Sequence, residues 1–394
     1  MSDMKARQMI EALRSGVPSR LVGRYFSEAR GDLMRQITDR LDHLKTEDKS
    51  SGMIITGKYG EGKTHLLNSV FAMAQERNMV VSWLPLSKET PLDKLHLVYP
   101  KLIASTYLPG HEEPGFMNRF EEKLPDSSFA SDLLMKAASD LSCNKIYYVL
   151  KTLIREQDEE MKYRLECDLE GDFMPNADIK REYRALYHEA AKFNENFRKT
   201  QNCPDYLIFM SALFQQLGYD GWVILIDEAE LMGRLGKKAR INAYTNMAQF
   251  LIPSASLHSV FSMLAFTASY PTEVIEGKQD YENLAELFPE NQEPARTVMD
   301  QICKAKQLAP LSESEIRMVV EKIIDYHQAA YDWQLNTDPS VIADKAVKSG
   351  VLLRTKLRTA IEMLDQIYQY GSLDNIRTTT VDQETYEEDT QESL

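Results

Sequence analysis

Cysteine is scarce and scattered in this 394-residue chain, where Cys143, Cys167, Cys203 and Cys303 form no CxxC pair. That spacing offers neither a disulfide framework nor a structural metal site, and reduced thiols are expected. Long apolar runs are missing too. No stretch of about 18 apolar residues occurs, so a membrane-spanning helix is not expected, and the opening MSDMKARQMIEALRSGV has no secretory apolar centre. A cytoplasmic protein without membrane contact is the expectation. Excess positive charge is also lacking: 46 Lys and Arg against 60 Asp and Glu give a formal charge of −14. Wrapping nucleic acid over the whole surface needs concentrated cations. A local basic patch, or one assembled between subunits, escapes that objection. No internal repeat is visible.

What is present describes a foldable chain. A hydrophobic content of 43% and a charged content of 27% are ordinary for a globular protein, and this length divides into about two or three folding units. Residues 5–44 read as helices interrupted near Gly16-Val17-Pro18. MIITG is a short β-branched run followed by glycine, and THLLNSVFAMAQERN has helical spacing, so the order is strand, loop, helix. MVVSWLPLS (79–87) reads as the next parallel strand. From Leu92 to about Tyr219 the signals are helical, broken at LPGHEEPG, which is more material than a βα connection needs. We read it as a mostly helical insertion whose charged face serves solvation or partner docking. Tyr147, Tyr148, Tyr183, Tyr187 and Phe193 read as helix contacts rather than a base-stacking platform.

GWVILIDEAELM restores a strand that ends in two acids, and SVFSMLAFTASY is another buried strand with a polar tip. Continuous apolar strands suit a parallel sheet covered on both faces, giving an α/β core. Beyond Leu311, SESEIRMVVEKIIDYHQAAYDW and VLLRTKLRTAIEMLDQIYQYG are helical, with Ser312 as a cap. The expected division is a helical segment at 1–48, a core at 49–305 with its insertion at about 92–219, a helical lid at 306–375 and an acidic tail at 376–394.

The chemistry centres on Gly57-Lys58-Tyr59-Gly60-Glu61-Gly62-Lys63-Thr64, which fits GxxxxGK[ST] at every position. Glycines let backbone amides curl round phosphate, the next helix points its positive end there, and Lys63 reaches the β/γ oxygens. Thr64 offers a hydroxyl to Mg²⁺, and His65 completes the stretch expected to meet the nucleotide. Glu61 is tolerable there with its side chain turned outward. The other half of the site belongs at a different strand end. Asp227 would hold the metal and Glu228 would polarise the attacking water, which argues for hydrolysis and not binding alone.

Glu230 reads as a helix-start or surface acid. Thr267 and Ser269, at the FTASY tip, are placed to sense the γ-phosphate or to satisfy local backbone groups. Arg354 and Arg358 share one face of the lid helix and are candidates for the cleft. Arg240 and Arg296 are weighed as residues reaching across a subunit boundary, and an ordinary surface ion pair is preferred for both.

The order GKYGEGKT, ILIDEAE, FTAS and then an arginine-bearing helical domain resembles an AAA+ P-loop ATPase. It resembles Orc/Cdc6-type initiators distantly, and the BREX-system ATP-binding proteins of bacterial anti-phage defence more closely. The closer likeness rests on MIEALRSGVPSR, GKYGEGKTHLL, LIDEAE and AFTASYPTEV. The resemblance implies a Walker A role for Lys63 and Thr64, a Walker B role for Asp227 and Glu228, and a sensor role for Thr267. Arg354 is then the second sensor, with Arg358 as its rival because VLLRTKLR lacks the proline common in relatives. Val17, Pro18 and Arg20 would wall the base. The resemblance further implies ATP and Mg²⁺ as cofactors and defence-system partners such as a helicase or nuclease. A homo-oligomer and indirect or assembly-dependent DNA contact are compatible with it. An initiator or loader acting on DNA and a slow ATP-bound scaffold are the alternative functions.

Overall fold

The computed structural model describes residues 3–15, 20–25, 30–350 and 352–372. Val17, Pro18 and the acidic tail at 376–394 lie outside the described residues. The chain divides into two compact units, one of Met1–Met34, Tyr59–Ser69 and Ala309–Leu394, the other of Arg35–Lys58 and Val70–Leu308.

The second unit is an α/β fold on a largely parallel sheet. Its strands are β1 (Ser51–Gly57), β2 (Met79–Pro85), β3 (Thr106–Tyr107), β4 (Gly221–Asp227), β5 (Val260–Thr267) and β6 (Lys306–Gln307), in the order β3-β2-β4-β5-β1-β6. Only β3 runs antiparallel to its neighbour. Every residue of β4 is buried, as a strand covered on both faces requires. Registers run from Ser51↔Phe261 to Gly57↔Thr267 and from Met79↔Gly221 to Pro85↔Asp227. Gly57, Thr267 and Asp227 therefore stand at the carboxyl ends of three neighbouring strands. Three polar side chains inside the sheet match one another: Trp222 Nε1 donates to Ser82 Oγ at 2.8 Å, and Ser82 Oγ shares a hydrogen bond with Thr106 Oγ1 at 2.6 Å, whereas Ser262 Oγ of β5 is buried with no hydrogen-bond partner among the described residues.

The helices, in chain order, are α1 (Asp3–Ser15), α2 (Arg20–Tyr25), α3 (Gly31–Glu47) and α4 (Lys63–Glu76). Between β2 and β4 come α5 (Leu95–Ala104), α6 (Met117–Lys123), α7 (Ser127–Ser139), α8 (Lys145–Arg155), α9 (Glu159–Glu170), α10 (Asn176–Tyr187) and α11 (Lys199–Gln216). Then follow α12 (Lys237–Leu251), α13 (Asp280–Leu287), α14 (Glu293–Cys303), α15 (Glu313–Tyr331), α16 (Pro339–Lys348) and α17 (Leu353–Tyr370). Strand residues Val80, Ile224, Ile226 and Leu264 share one core with Tyr99 of α5 and Leu213 of α11.

Within the long helical stretch, Lys145 and Asp168 form a fully buried ion pair at 2.6 Å. Tyr206 Oη and the Met174 amide also donate to Asp168, at 2.6 and 2.7 Å, which satisfies both carboxylate oxygens. The five aromatics singled out above contact one another: Tyr148 stacks with Phe193 at 5.3 Å and Tyr183 with Tyr187 at 4.6 Å, while Tyr147 meets Tyr148 edge-on. Tyr148 also meets Tyr183 edge-on at 4.9 Å, a contact between α8 and α10, while Phe193 packs on it from the loop that follows α10.

The first unit is helical around its own core, in which Met9 and Ile10 of α1 meet Val320 and Ile323 of α15, Ile342 of α16 and Leu364 of α17. Arg14 donates to both oxygens of Asp365, at 2.7 and 3.1 Å. Ser312 caps α15 as its sequence implies, in a reciprocal box with Glu315. Among the described residues no helix is long and apolar enough to cross a membrane.

Candidate functional site

The apolar run of β1 ends at Gly57, and the chain turns before entering α4. Gly60 (φ +78°) and Gly62 (φ +88°) lie in the left-handed region, where a side chain would be strained. A Cβ on Gly60 would also come 3.2 Å from the Leu352 side chain. Lys58 and Tyr59 are exposed at the turn, and Lys63, the first residue of α4, is buried. The Leu66 amide donates to the Gly62 carbonyl at 3.0 Å, so helical bonding begins within the glycine turn. Asn68 Nδ2 ties back to the Thr64 carbonyl at 3.0 Å, and Ser69 Oγ to the carbonyls of Gly23 and His65 at 3.0 and 3.2 Å. A glycine turn opening a helix of 14 residues presents amides and a positive helix end to an anion.

At the carboxyl edge of the sheet, Asp227 is 5% exposed. One of its oxygens accepts the Glu228 amide at 2.9 Å, and its carbonyl accepts the Leu86 amide at 3.0 Å. Glu228 is exposed and adopts φ 55°, ψ 34°, a left-handed conformation costing about 1–2 kcal/mol for a residue with a Cβ. The chain then enters a 3₁₀ turn, Ala229–Arg234, in whose first residues Glu230 is half-buried. Thr267 ends β5 half-exposed, and the Ser269 carbonyl accepts the Glu273 amide and the Thr272 hydroxyl at 2.9 and 3.0 Å. Ser269 thus precedes the π-helical turn Pro271–Glu276, for which Tyr270 is the N-cap.

A family profile described as "BREX system ATP-binding protein BrxC/D" matches residues 1–121 and 154–382. The chain belongs to the BrxC/BrxD family of BREX-system ATP-binding proteins. BREX is an anti-phage defence system. A comparison with curated proteins finds no match. The profile passes over residues 122–153, which in this family member carry α7 and most of α8.

The arginines of this BrxC/BrxD protein are sorted by their partners. Arg354 is exposed in the first turn of α17 and donates to the Ser15 carbonyl at 3.2 Å. It lies two residues beyond Leu352, the side chain nearest Gly60. Arg358, one turn further, pairs with Glu362 at 3.1 Å. Arg296 is exposed, donates to Gln292 at 3.1 Å and stands over the Tyr281 ring.

Arg240 corrects its expectation, because it is a core residue and not a surface one. It is 3% exposed, grips both oxygens of Asp280 at 2.6–3.0 Å and donates Nη1 to the Leu235 carbonyl at 2.7 Å. Tyr244 donates to the same carboxylate at 2.9 Å and hydrogen-bonds Tyr270 at 3.0 Å. Donating hydrogen bonds to the Asp280 carboxylate lifts the Arg240 pKa, against desolvation. Arg30 belongs to no sequence motif, yet its Nη2 donates to the Glu61 carbonyl in the glycine turn at 2.5 Å.

Proposed function

We propose that the chain binds ATP with Mg²⁺ on an AAA+ P-loop core and hydrolyses it, driving conformational switching or remodelling in a bacterial anti-phage defence complex. The observation that carries this reading is the left-handed pair Gly60 and Gly62 leading into a helix that opens with buried Lys63. The residues fit the ligands proposed. Amides around the turn, from Gly57 through His65, complement phosphate, and the Lys63 ammonium complements the β/γ oxygens. Thr64 and Asp227 are hard oxygen donors of the kind a divalent ion takes. When bound, Mg²⁺ supplies charge neutralisation to the phosphates.

The protein residues divide the remaining work. Glu228 accepts the proton of the water that attacks the γ-phosphorus as the bond to the ADP oxygen breaks. Thr267 orients that water or senses the γ-phosphate from the neighbouring strand end. Arg354 is preferred to Arg358 as the lid cation, because Arg358 is committed to Glu362 on its own helix. In domain terms the reading assigns 1–48 as a helical cap, 49–305 as the core with an insertion at about 92–219, and 306–375 as the lid. It places the protein in the cytoplasm, with partners such as a helicase or nuclease, homo-oligomerisation, and DNA contact through the assembly.

The test is steady-state ATP hydrolysis by wild type and Glu228→Gln, alone and with single- or double-stranded DNA, with mass measured in parallel. Turnover in the wild type that vanishes in Glu228→Gln supports the reading. ATP binding without turnover in any condition would replace it with an ATP-bound scaffold.

A further inference from the structure

Arg30 has no part in the chemistry above, yet its contacts reach the loop that would hold phosphate. It precedes α3 with φ +61°, a left-handed backbone disfavoured for any residue with a Cβ. Nη2 donates to the Glu61 carbonyl at 2.5 Å and to the Ala309 carbonyl at 3.4 Å. A Cβ built on Gly62 would stand 3.6 Å from Nη1, so the guanidinium lies beside that glycine. The Arg30 amide donates to Glu315 Oε1 at 2.8 Å, while Glu315 Oε2 accepts the amide and hydroxyl of Ser312, both at 2.8 Å. One residue thus touches the glycine turn through its side chain and the capping box of α15 through its backbone.

Two further observations show that this is more than a surface brace. Burial pulls the guanidinium below its ordinary value while Glu315 and Glu61 hold it up. Nε is buried as well, so the guanidinium is withdrawn from solvent where it meets the Glu61 carbonyl.

We infer that Arg30 is a positioning residue that ties the shape of the glycine turn to the first turn of α15, so that nucleotide occupancy is registered at Ser312–Glu315. The peptide plane supplies the mechanism. Carbonyl and amide of one trans peptide point opposite ways. Holding the Glu61 oxygen toward Arg30 therefore aims the Gly62 amide away from Arg30, fixing one donor of the anion cradle before phosphate arrives. A phosphate that pulls on that amide rotates the same plane, and the pull passes through Arg30 to Glu315. The inference rests on the ATP-binding reading and adds to it a route from loop to lid.

The experiment uses the full chain with Mg²⁺ and adenylyl imidodiphosphate, an ATP analogue that is not hydrolysed. Affinity is read by titration calorimetry and backbone protection of residues 312–320 by hydrogen–deuterium exchange. In the wild type, nucleotide is expected to change exchange across 312–320. Arg30→Ala should bind about tenfold more weakly, the loss of one charge-assisted hydrogen bond. At saturating nucleotide it should leave exchange at 312–320 where it was without nucleotide. Arg30→Lys keeps the charge without the planar fork, serves if Arg30→Ala does not fold, and should behave like Arg30→Ala. Wild-type affinity and wild-type protection in either variant would overturn the coupling while leaving ATP binding intact. A wild-type chain that binds no nucleotide would instead overturn the ATP reading, and the coupling with it.

Discussion

Gly57 and Thr267 face each other in register across β1 and β5, and the Ala268 amide donates to the Gly57 carbonyl at 3.1 Å. The strand that runs into the glycine turn is thereby locked to the strand that ends in Thr267. Thr267 is the residue proposed to orient the attacking water from that edge. Thr267→Val keeps the shape and β propensity of the side chain and removes the hydroxyl. It is expected to leave ATP affinity within about twofold and to lower kcat about tenfold, the value of one hydrogen bond made in the transition state. A raised KM at unchanged kcat would reassign the hydroxyl to binding.

Lys63 and Glu228 should separate binding from chemistry. Lys63→Ala removes the buried cation at the head of α4 and is expected to weaken ATP binding about a hundredfold. Glu228→Gln should retain binding while turnover falls by about 10²–10⁴. Glu228→Gly adds a stability readout. It relieves the left-handed strain of an exposed residue and should raise unfolding free energy by up to about 1 kcal/mol, with activity lost. Urea melts beside turnover assays check both arms, and a destabilised glycine variant would remove strain from the account of this turn.

The parts of this architecture visible in the sequence are those where one local pattern decides the outcome. MIITG, MVVSWLP, WVILID and VFSMLAFT are apolar runs bounded by turn residues, and each is a strand of the sheet. Ser312 followed three residues later by Glu315 is a capping signal and caps α15. The rest depends on tertiary neighbours. Thr106–Tyr107 and Lys306–Gln307 are strands of two residues with no periodicity to read, created by the edges of β2 and β1. Arg240 looked like a surface cation because Asp280, the acid that permits its burial, lies 40 residues away. Arg30 carries no motif, and only the folded chain brings it to Glu61 and Glu315.

Arg240 and Asp280 should behave as a stability pair. Their contact is bidentate and buried, with Tyr244 donating to the same carboxylate. Arg240→Ala strands that carboxylate away from water and is expected to cost about 3–5 kcal/mol. The double variant Arg240→Met, Asp280→Leu removes both charges and should recover much of that loss. Chemical denaturation of the single and double variants measures the difference. A double variant no better than the single one would show that the hydrogen bonds to Leu235 and Tyr244 carry the effect instead of the uncompensated charge.

Glu166 gives the fold a pH dependence with a definite sign. It lies on α9, where burial first and then Glu121, Glu170 and Glu159 lift its carboxyl from 4.5 to about 7, with Lys162 opposing. Between those two values the folded chain holds a proton that the unfolded chain has released, so stability falls as pH rises through this window. The penalty is complete above about pH 7 and absent below the unfolded value. Because Glu166 is only half-buried, water screens part of it, and the effect is smaller than the shift alone implies. Glu166→Gln is therefore expected to raise the melting midpoint at pH 8 and to leave it unchanged near pH 4. Paired melts of wild type and variant across that range test this. A difference independent of pH would assign the effect to helix propensity or packing on α9, and not to titration.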